Sequence, residues 1–484
     1  MTATSQEAND GVRSPSRGTF LKGAAIAAGA VAGGLDAGLS ALAAEPLHVA
    51  AASVTPLHIE IDAGQNAAPF LWFKQELIQK FGADPKIIGL PFVGQYEKIV
   101  SEMVARTATY DLLVFPPQMI GDFVAQKFLE PLDGYTHMLD PKLSDVLPVY
   151  RDPNLKRHGT LYALPYDGDL LQVVYRTDLF NNPAEQRAFK ARYKRDLRPP
   201  RSWSEYMDIA RFFHRPPHLY GNAFYGQRGF CYAWFINVFA AYGGRWFDAK
   251  TMKATINSNV GSAALNLLLA QKQYAPPNIL QVGYPELNEA FLNGSTAMVV
   301  QWDDLPLKVN NPQMSKVVGK GGWAPCPVRS YMPYSRVMAV SAYSKNKAAA
   351  YQVAAYMSLN QQRFVYDPGC GEDPVRSSVL DARLAKSHTG ASTLPPAQAR
   401  QYVSAIKQGI LAGYPELSIP GAPRYLDTLD QFVNQALAGQ LSAKQALDSC
   451  ASEWDSLTQQ LDQGAQMAAY GDWIASFRRA GIAY

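Results

Sequence analysis

The chain has 484 residues, 48% of them apolar and 18% charged, with a formal net charge of +4 and its acidic and basic residues interspersed. That balance excludes a disordered chain and a membrane-embedded one, and the lack of a Lys/Arg block argues against nucleic acid as a partner. Single hydrophobic cores stop growing at roughly 250–300 residues, so two lobes are expected at this length.

Arg13, Arg17 and Lys22 precede an uncharged Ala/Gly-rich run over residues 23–35, and Ala41-Leu42-Ala43 supplies the small-x-small pattern that a signal peptidase accepts. A removable export signal is predicted over residues 1–43, and with it a periplasmic location. The run is Gly-rich, broken by Asp36 and shorter than the about 20 apolar residues of a membrane span. Ser16-Arg17-Gly18-Thr19-Phe20-Leu21-Lys22 resembles the twin-arginine export consensus, with Gly18 in place of the second arginine, which leaves the export route open.

Residues 57–62 alternate apolar and polar as a strand does, and residues 69–81 place Phe70, Phe73, Leu77, Ile78 and Phe81 at helical spacing. Residues 86–90 read as a second strand, and residues 95–105 carry Tyr96, Ile99, Val100, Met103 and Val104 on one helical face. A continuous apolar strand over 111–115 ends at Pro116-Pro117, and helical periodicity resumes over 120–128. Residues 160–167 lead into an apolar strand over 170–175, where the chain leaves its first lobe. Ser202 is placed to cap a helix through Tyr206, Ile209 and Ala210; an Ala-rich helix follows over 261–271, and residues 426–461 are helical almost without interruption. This alternation predicts an α/β protein with a mostly parallel sheet flanked by helices on both faces. With no Gly/Ser linker and no internal repeat, the lobes are expected to be joined by crossing strands.

Chemistry-bearing motifs are sparse. The four cysteines, Cys231, Cys326, Cys370 and Cys450, are too dispersed for a zinc knuckle or a Cys-x-x-Cys motif, and they allow three disulfide pairings or none. His214 and His218 are split by Pro216-Pro217, which prevents a shared helical face for a metal. There is no Walker loop, no dinucleotide-binding glycine fingerprint, no His-Glu-x-x-His and no Gly-x-Ser-x-Gly. No cofactor, metal site or catalytic residue is predicted.

Several segments occur in a telling order: Tyr110-Asp111-Leu112-Leu113-Val114-Phe115, Phe128-Leu129-Glu130-Pro131-Leu132, Leu161-Tyr162-Ala163-Leu164-Pro165-Tyr166-Asp167 and Tyr175-Arg176-Thr177-Asp178-Leu179-Phe180. Further on come Ser202-Trp203-Ser204-Glu205-Tyr206, Tyr242-Gly243-Gly244 and the run from Ala290 through Asn293-Gly294-Ser295-Thr296-Ala297-Met298 to Trp302. In this order they resemble the extracellular solute-binding proteins that include the maltose-binding and other carbohydrate-binding components of ABC importers. The resemblance spans nearly the whole mature chain. It implies a two-lobed periplasmic-binding-protein fold whose halves close about a hinge. The N-terminal lobe would comprise residues 44–168 and 336–375 and the C-terminal lobe residues 169–335 and 376–484. Crossings are expected near residues 166–171 and 336–340, with a last one after Phe364. The implied function is reversible capture of a sugar or sugar alcohol for delivery to the membrane permease of an ABC importer, by a protein expected to be a monomer. The alternative is a secreted glycoside hydrolase or lyase acting through paired carboxylates such as Asp167 with Asp303.

A sugar presents hydroxyls at its rim and a weakly polar C–H face, so its site needs aromatic walls and directional hydrogen-bonding groups. Phe115 ends an apolar strand, where an open α/β sheet presents ligand contacts, and Gln118 follows the two prolines; the resemblance gives this pair a ligand role, the alternative being that Phe115 caps the core. Asp167 and Asp169 flank Gly168 at the expected hinge, with Tyr166 just before them, and they read equally as turn residues. Trp302 and Asp303 end the apolar strand that begins near Ala297, and Trp302 matches the family's second-lobe stacking residue, so that it and Phe115 are expected to face each other across a gap. Trp234, Trp246, Trp323, Arg376 and Gln65 complete the ligand-binding candidates, with Tyr334 and Arg336 as weaker ones. A buried helix face explains Trp234 as well as a ligand does, and a surface ion pair explains Arg376.

Overall fold

The computed structural model describes residues 54–333, 335–381, 383 and 394–482. The predicted export signal and Tyr334 lie outside them. In chain order the strands are β1 (Thr55–Asp62), β2 (Ala83–Leu90), β3 (Leu112–Phe115), β4 (Lys156–Arg157), β5 (Thr160–Leu161), β6 (Leu164–Asp167), β7 (Leu171–Arg176), β8 (Met298–Trp302), β9 (Gly321–Pro325), β10 (Ser330–Met332), β11 (Arg336–Val340) and β12 (Gly413–Pro415).

Burial explains which runs became strands. Leu57, Ile59 and Ile61 are fully buried on one face of β1, and β3 is buried on both. They form a five-stranded sheet in the order β2-β1-β3-β11-β6, in which β1 runs parallel to β2 and β3. The parallel expectation stops there, because β11 is antiparallel to both β3 and β6. A second sheet, in the order β8-β7-β9, is antiparallel throughout. The reason is topological: strands that enter a sheet from the other half need no helical crossover, so nothing obliges them to run parallel.

Local capping follows the sequence. The Ser202 hydroxyl accepts from the Glu205 N–H at 3.2 Å and opens the helix Trp203–Phe213, and Ser258 opens Asn259–Gln271 in the same way. The stretch read as one long helix is two, Ala422–Leu437 and Ala443–Gln460. Gly439 breaks it with a φ of 76°, and Ser442 with Gln445 forms a capping box for the second helix. The helix Cys231–Ala241 is apolar on every side and accordingly buried all round.

Two sheets joined by short crossings position the site. The chain leaves the first sheet at Asp167 and enters the second at Leu171, then returns to the first at β11. After the helix Lys347–Leu359, which packs on β6 and β11, the chain reaches Pro396–Leu411, which packs on β7 and β9. Gly168 lies where these passages touch: a Cβ there would sit 2.6 Å from the Pro374 carbonyl oxygen and 2.8 Å from a Val375 methyl. All four cysteines are buried free thiols. Among the described residues no helix is long and apolar enough to cross a membrane.

Candidate functional site

A cleft of about 580 Å³ opens between the two sheets. One wall is built at the carboxyl ends of β1 and β2: Asp62 closes β1, Gln65 and Asn66 follow it, and Phe92 follows β2. The other carries Trp302 at the end of β8 with Tyr225, Phe230, Tyr284 and Asp304. Asp169, Arg336 and Gly371 form the part nearest the crossings.

Trp302 is held in place by rings. Its indole is met edge-on by Trp234 at 5.4 Å, Tyr284 at 5.8 Å, Phe230 at 6.0 Å and Tyr225 at 6.5 Å, with interplanar angles of 64–81°. Its Nε1 donates to the Pro333 carbonyl at 3.4 Å. Across the cleft, Phe92 stacks on Phe230 at 4.2 Å, and Gln65 Nε2 donates to Tyr284 Oη at 2.8 Å and to Asp304 Oδ2 at 3.3 Å.

Two charged groups frame the polar side. Arg336 binds Asp62 with two donors, Nε at 2.7 Å and Nη2 at 3.1 Å, while its Nη1 donates to Asp167 at 2.5 Å and Asp169 at 3.2 Å. Burial, and then the neighbouring Asp167, push Asp169 well above the usual carboxylate range. On the opposite wall, Asp304 accepts from Lys308 Nζ and Tyr284 Oη, and Lys308 Nζ also donates to Tyr284 Oη at 2.7 Å. Burial works against the Lys308 charge, yet Asp304 and Tyr284 hold its pKa above the ordinary value. Asp304 Oδ1 is buried and accepts no hydrogen bond from the described residues.

Gln65, Asp169 and Trp302 are therefore brought together in the cleft, joined by Arg336. The other candidates do not line it. Phe115 is fully buried and packs edge-on against Phe123 at 4.9 Å; it caps the core and does not face Trp302. Phe92 and Phe230 provide the ring pair across the gap instead. Gln118 lines a cavity of about 80 Å³ that shares Phe92, Val93 and Phe230 with the cleft. Tyr166 is buried on Phe70 and donates to the Asn66 carbonyl at 2.8 Å, directly behind the cleft wall. Asp167 acts through Arg336, and Trp234 stands behind Trp302 with its Nε1 donating to the Val300 carbonyl at 3.0 Å.

Trp246 packs in the second half's core among Tyr331, Tyr414 and Trp454, and Trp323 is buried against Tyr402. Arg376 is not a surface residue: its guanidinium donates to the carbonyls of Pro141, Lys142 and Ser358 and ties three segments together. Asp303 is fully buried, with Oδ1 accepting from the Leu170 N–H at 2.9 Å. The Asp167 and Asp303 pair invoked for hydrolysis therefore lies outside the cleft lining.

Tyr225, Phe230, Tyr284, Phe92 and Asp304 escaped the sequence reading, because they stand in loops or helix starts without periodicity. Asp304 had a usable signal: with Lys308 it makes an i, i+4 pair of opposite charges beside a strand end, and both residues are 3% exposed.

Two α/β halves whose facing walls present rings and hydrogen-bonding groups at their strand ends define a hinged binding protein. The chain belongs to the bacterial extracellular solute-binding protein family, whose family model matches residues 64–363, and it is a binding protein rather than an enzyme. It is 26% identical over 378 residues to the mannitol-binding protein of Pseudomonas aeruginosa, covering 72% of this chain and 81% of that one. Its fold is shared with a solute-binding protein of an ABC transporter from Agrobacterium radiobacter K84, solved in complex with ribitol, at a TM-score of 0.70 and 23% identity over 83% of this chain and 98% of that one. A solute-binding protein from Agrobacterium vitis S4 with bound D-mannitol matches at a TM-score of 0.69 and 22% identity, over 84% and 99% of the two chains.

Proposed function

We propose that the cleft captures a neutral polyhydroxylated ligand, a sugar or sugar alcohol, and releases it to the permease of an ABC importer. The observation that carries this reading is one cleft lined by an indole fixed by four rings together with the Asp304 carboxylate and the Arg336 guanidinium. A ring face takes a C–H surface, and the carboxylate and guanidinium take adjacent hydroxyls. Acyclic sugar alcohols are favoured within this class, since the relatives named above carry or are named for mannitol and ribitol. The lobe division into residues 44–168 with 336–375 and 169–335 with 376–484 is part of this reading. So are the export signal over residues 1–43, the periplasmic location and a monomeric state.

The test is a thermal-shift and calorimetric screen of the mature protein against mannitol, ribitol, other alditols and mono- and disaccharides, with the mixtures checked for products. Stabilisation at one-to-one stoichiometry without products is expected, with about 2.7 kcal/mol of added stability at a hundredfold excess over Kd. Product formation, or silence across the whole screen, overturns the reading. Trp302→Phe, which keeps an aromatic face but reduces its area and removes the Nε1 donor to Pro333, should weaken the best hit; unaltered affinity would remove Trp302 from the site.

A further inference from the structure

A second cavity, of about 660 Å³, shares no lining residue with the cleft. It lies among the short hairpin of β4 and β5, the loop over residues 418–420 and the C-terminal helix Gln463–Arg479. Arg157, on the hairpin, lines it. Its Nη1 donates to the carbonyls of Pro153 and Lys156, both at 2.8 Å, and its Nη2 to Ser418 Oγ at 2.6 Å. The Ser418 hydroxyl is itself fixed, donating to the Pro117 carbonyl at 2.7 Å.

Every one of these acceptors is neutral, and among the described residues no carboxylate lies within ion-pair distance of Arg157. The hydrogen bonds set the orientation of the guanidinium but leave its charge uncompensated. Burial accordingly pushes its pKa down to about 10, the direction expected of a cation without an anion beside it. A partly buried charge of this kind is costly unless something of opposite sign arrives.

The rest of the lining suits such an arrival. Lys156 and Arg479 add positive charge, Asp152 is held by Arg151 at 3.2 Å, and Asp472 is the remaining acid. Pro153, Ile419 and Trp473 supply an apolar wall. The volume falls in the range of roughly 300–1,000 Å³ usual for small-molecule sites and exceeds what a bare ion needs. We propose that this cavity binds the carboxylate or phosphate group of a small organic anion, with Arg157 at its centre and Lys156 and Arg479 as flanking cations. Such a ligand would join three segments distant in sequence, independently of the cleft.

Phenyl phosphate and inorganic phosphate serve as probes, against sodium chloride of equal ionic strength and benzyl alcohol as the uncharged control. Phenyl phosphate is expected to raise the thermal midpoint beyond the chloride effect, and Arg157→Gln to abolish that rise. Lys156→Glu and Arg479→Glu leave the Arg157 hydrogen bonds in place and should each weaken binding at least about fivefold by reversing a nearby charge. These two variants decide the matter if Arg157→Gln does not fold, and the response to the cleft ligand should be unchanged in both. Sedimentation with phosphatidylglycerol vesicles separates the sources: retention that Lys156→Glu abolishes assigns the site to a lipid headgroup, and phenyl phosphate binding without retention assigns it to a soluble anion. No shift beyond chloride together with no retention, or binding indifferent to both charge reversals, overturns the proposal.

Discussion

Phe92, at the end of a strand in the first sheet, lies face to face with Phe230 on the second half, their ring centroids 4.2 Å apart and their planes 18° from parallel. This ring pair joins the two walls of the cleft, and it separates whenever the halves part.

Phe92→Ala should therefore weaken ligand binding while leaving the unliganded protein's unfolding nearly unchanged. An offset-stacked pair contributes about 0.5–1.5 kcal/mol beyond area burial, which corresponds to a roughly 2- to 12-fold rise in Kd. Calorimetry gives the affinity, and small-angle scattering with saturating ligand should show a larger radius of gyration than the parent. Equal Kd values for the two proteins would refute a closing role for the stack.

Lys308→Met leaves the buried Asp304 without its cation, and the loss should be about 3–5 kcal/mol in urea unfolding. Replacing both partners, as Lys308→Met with Asp304→Leu, should recover most of that stability because no lone charge remains. The double variant should nevertheless bind polyols poorly, since it lacks the carboxylate that lines the cleft. If it binds as well as the parent, Asp304 is not a ligand group.

The crossings carry an unusual load of acid. Burial raises the pKa values of Asp169, Asp303, Glu372 and Asp373 well above those of free carboxyl groups. A carboxyl that keeps its proton longer in the folded chain than in the unfolded one stabilises fully below the unfolded value of about 4, and that contribution fades as pH rises toward the folded value. Working against it, the surface acids Glu76 and Asp381, which hydrogen bonds and neighbouring cations hold low, lose their contribution as pH falls below about 4. Stability should consequently increase from pH 8 to pH 5 and fall again below about 4. Thermal unfolding across that range measures it. In Asp303→Asn with Asp373→Asn the rise between pH 8 and 5 should shrink; an identical slope would mean that these acids titrate normally.

Gly371→Ala probes the cleft floor. A Cβ at this position would sit 2.0 Å from Asn66 Oδ1 and 2.7 Å from Gln65 Nε2, so both cleft side chains must move. A cost of about 1–3 kcal/mol is expected from the added bulk. Gln65 can no longer reach Tyr284, and ligand affinity should drop as well. Unchanged affinity at reduced stability would mean that the cleft tolerates a displaced Gln65.

Much of the architecture was readable because it rests on period and punctuation. The helix over 95–105 coincides with its amphipathic stretch, and Ser202 caps where a serine before a helical run should. The site was only partly readable, for a physical reason. A residue at the end of a strand points to either of two faces, and sequence does not say which face is solvent. Trp302, which ends β8, lines the cleft, while Asp303, the next residue, is fully buried and outside the cleft lining. Trp246 and Trp323 carry the same aromatic signal and are core residues, and Phe115 is buried against Phe123. Arg336 carries a legible signal, because an arginine opening a strand buried along its whole length must find acidic partners, and it donates to three carboxyl groups.

The missing side chain at Gly168 has a mechanical consequence. Two strips of backbone that connect the halves press against each other there, with no atom to spare between them. Strips in such contact are coupled, so that a displacement of one displaces the other. A rotation of the halves about an axis beside the crossings would carry both strips with it.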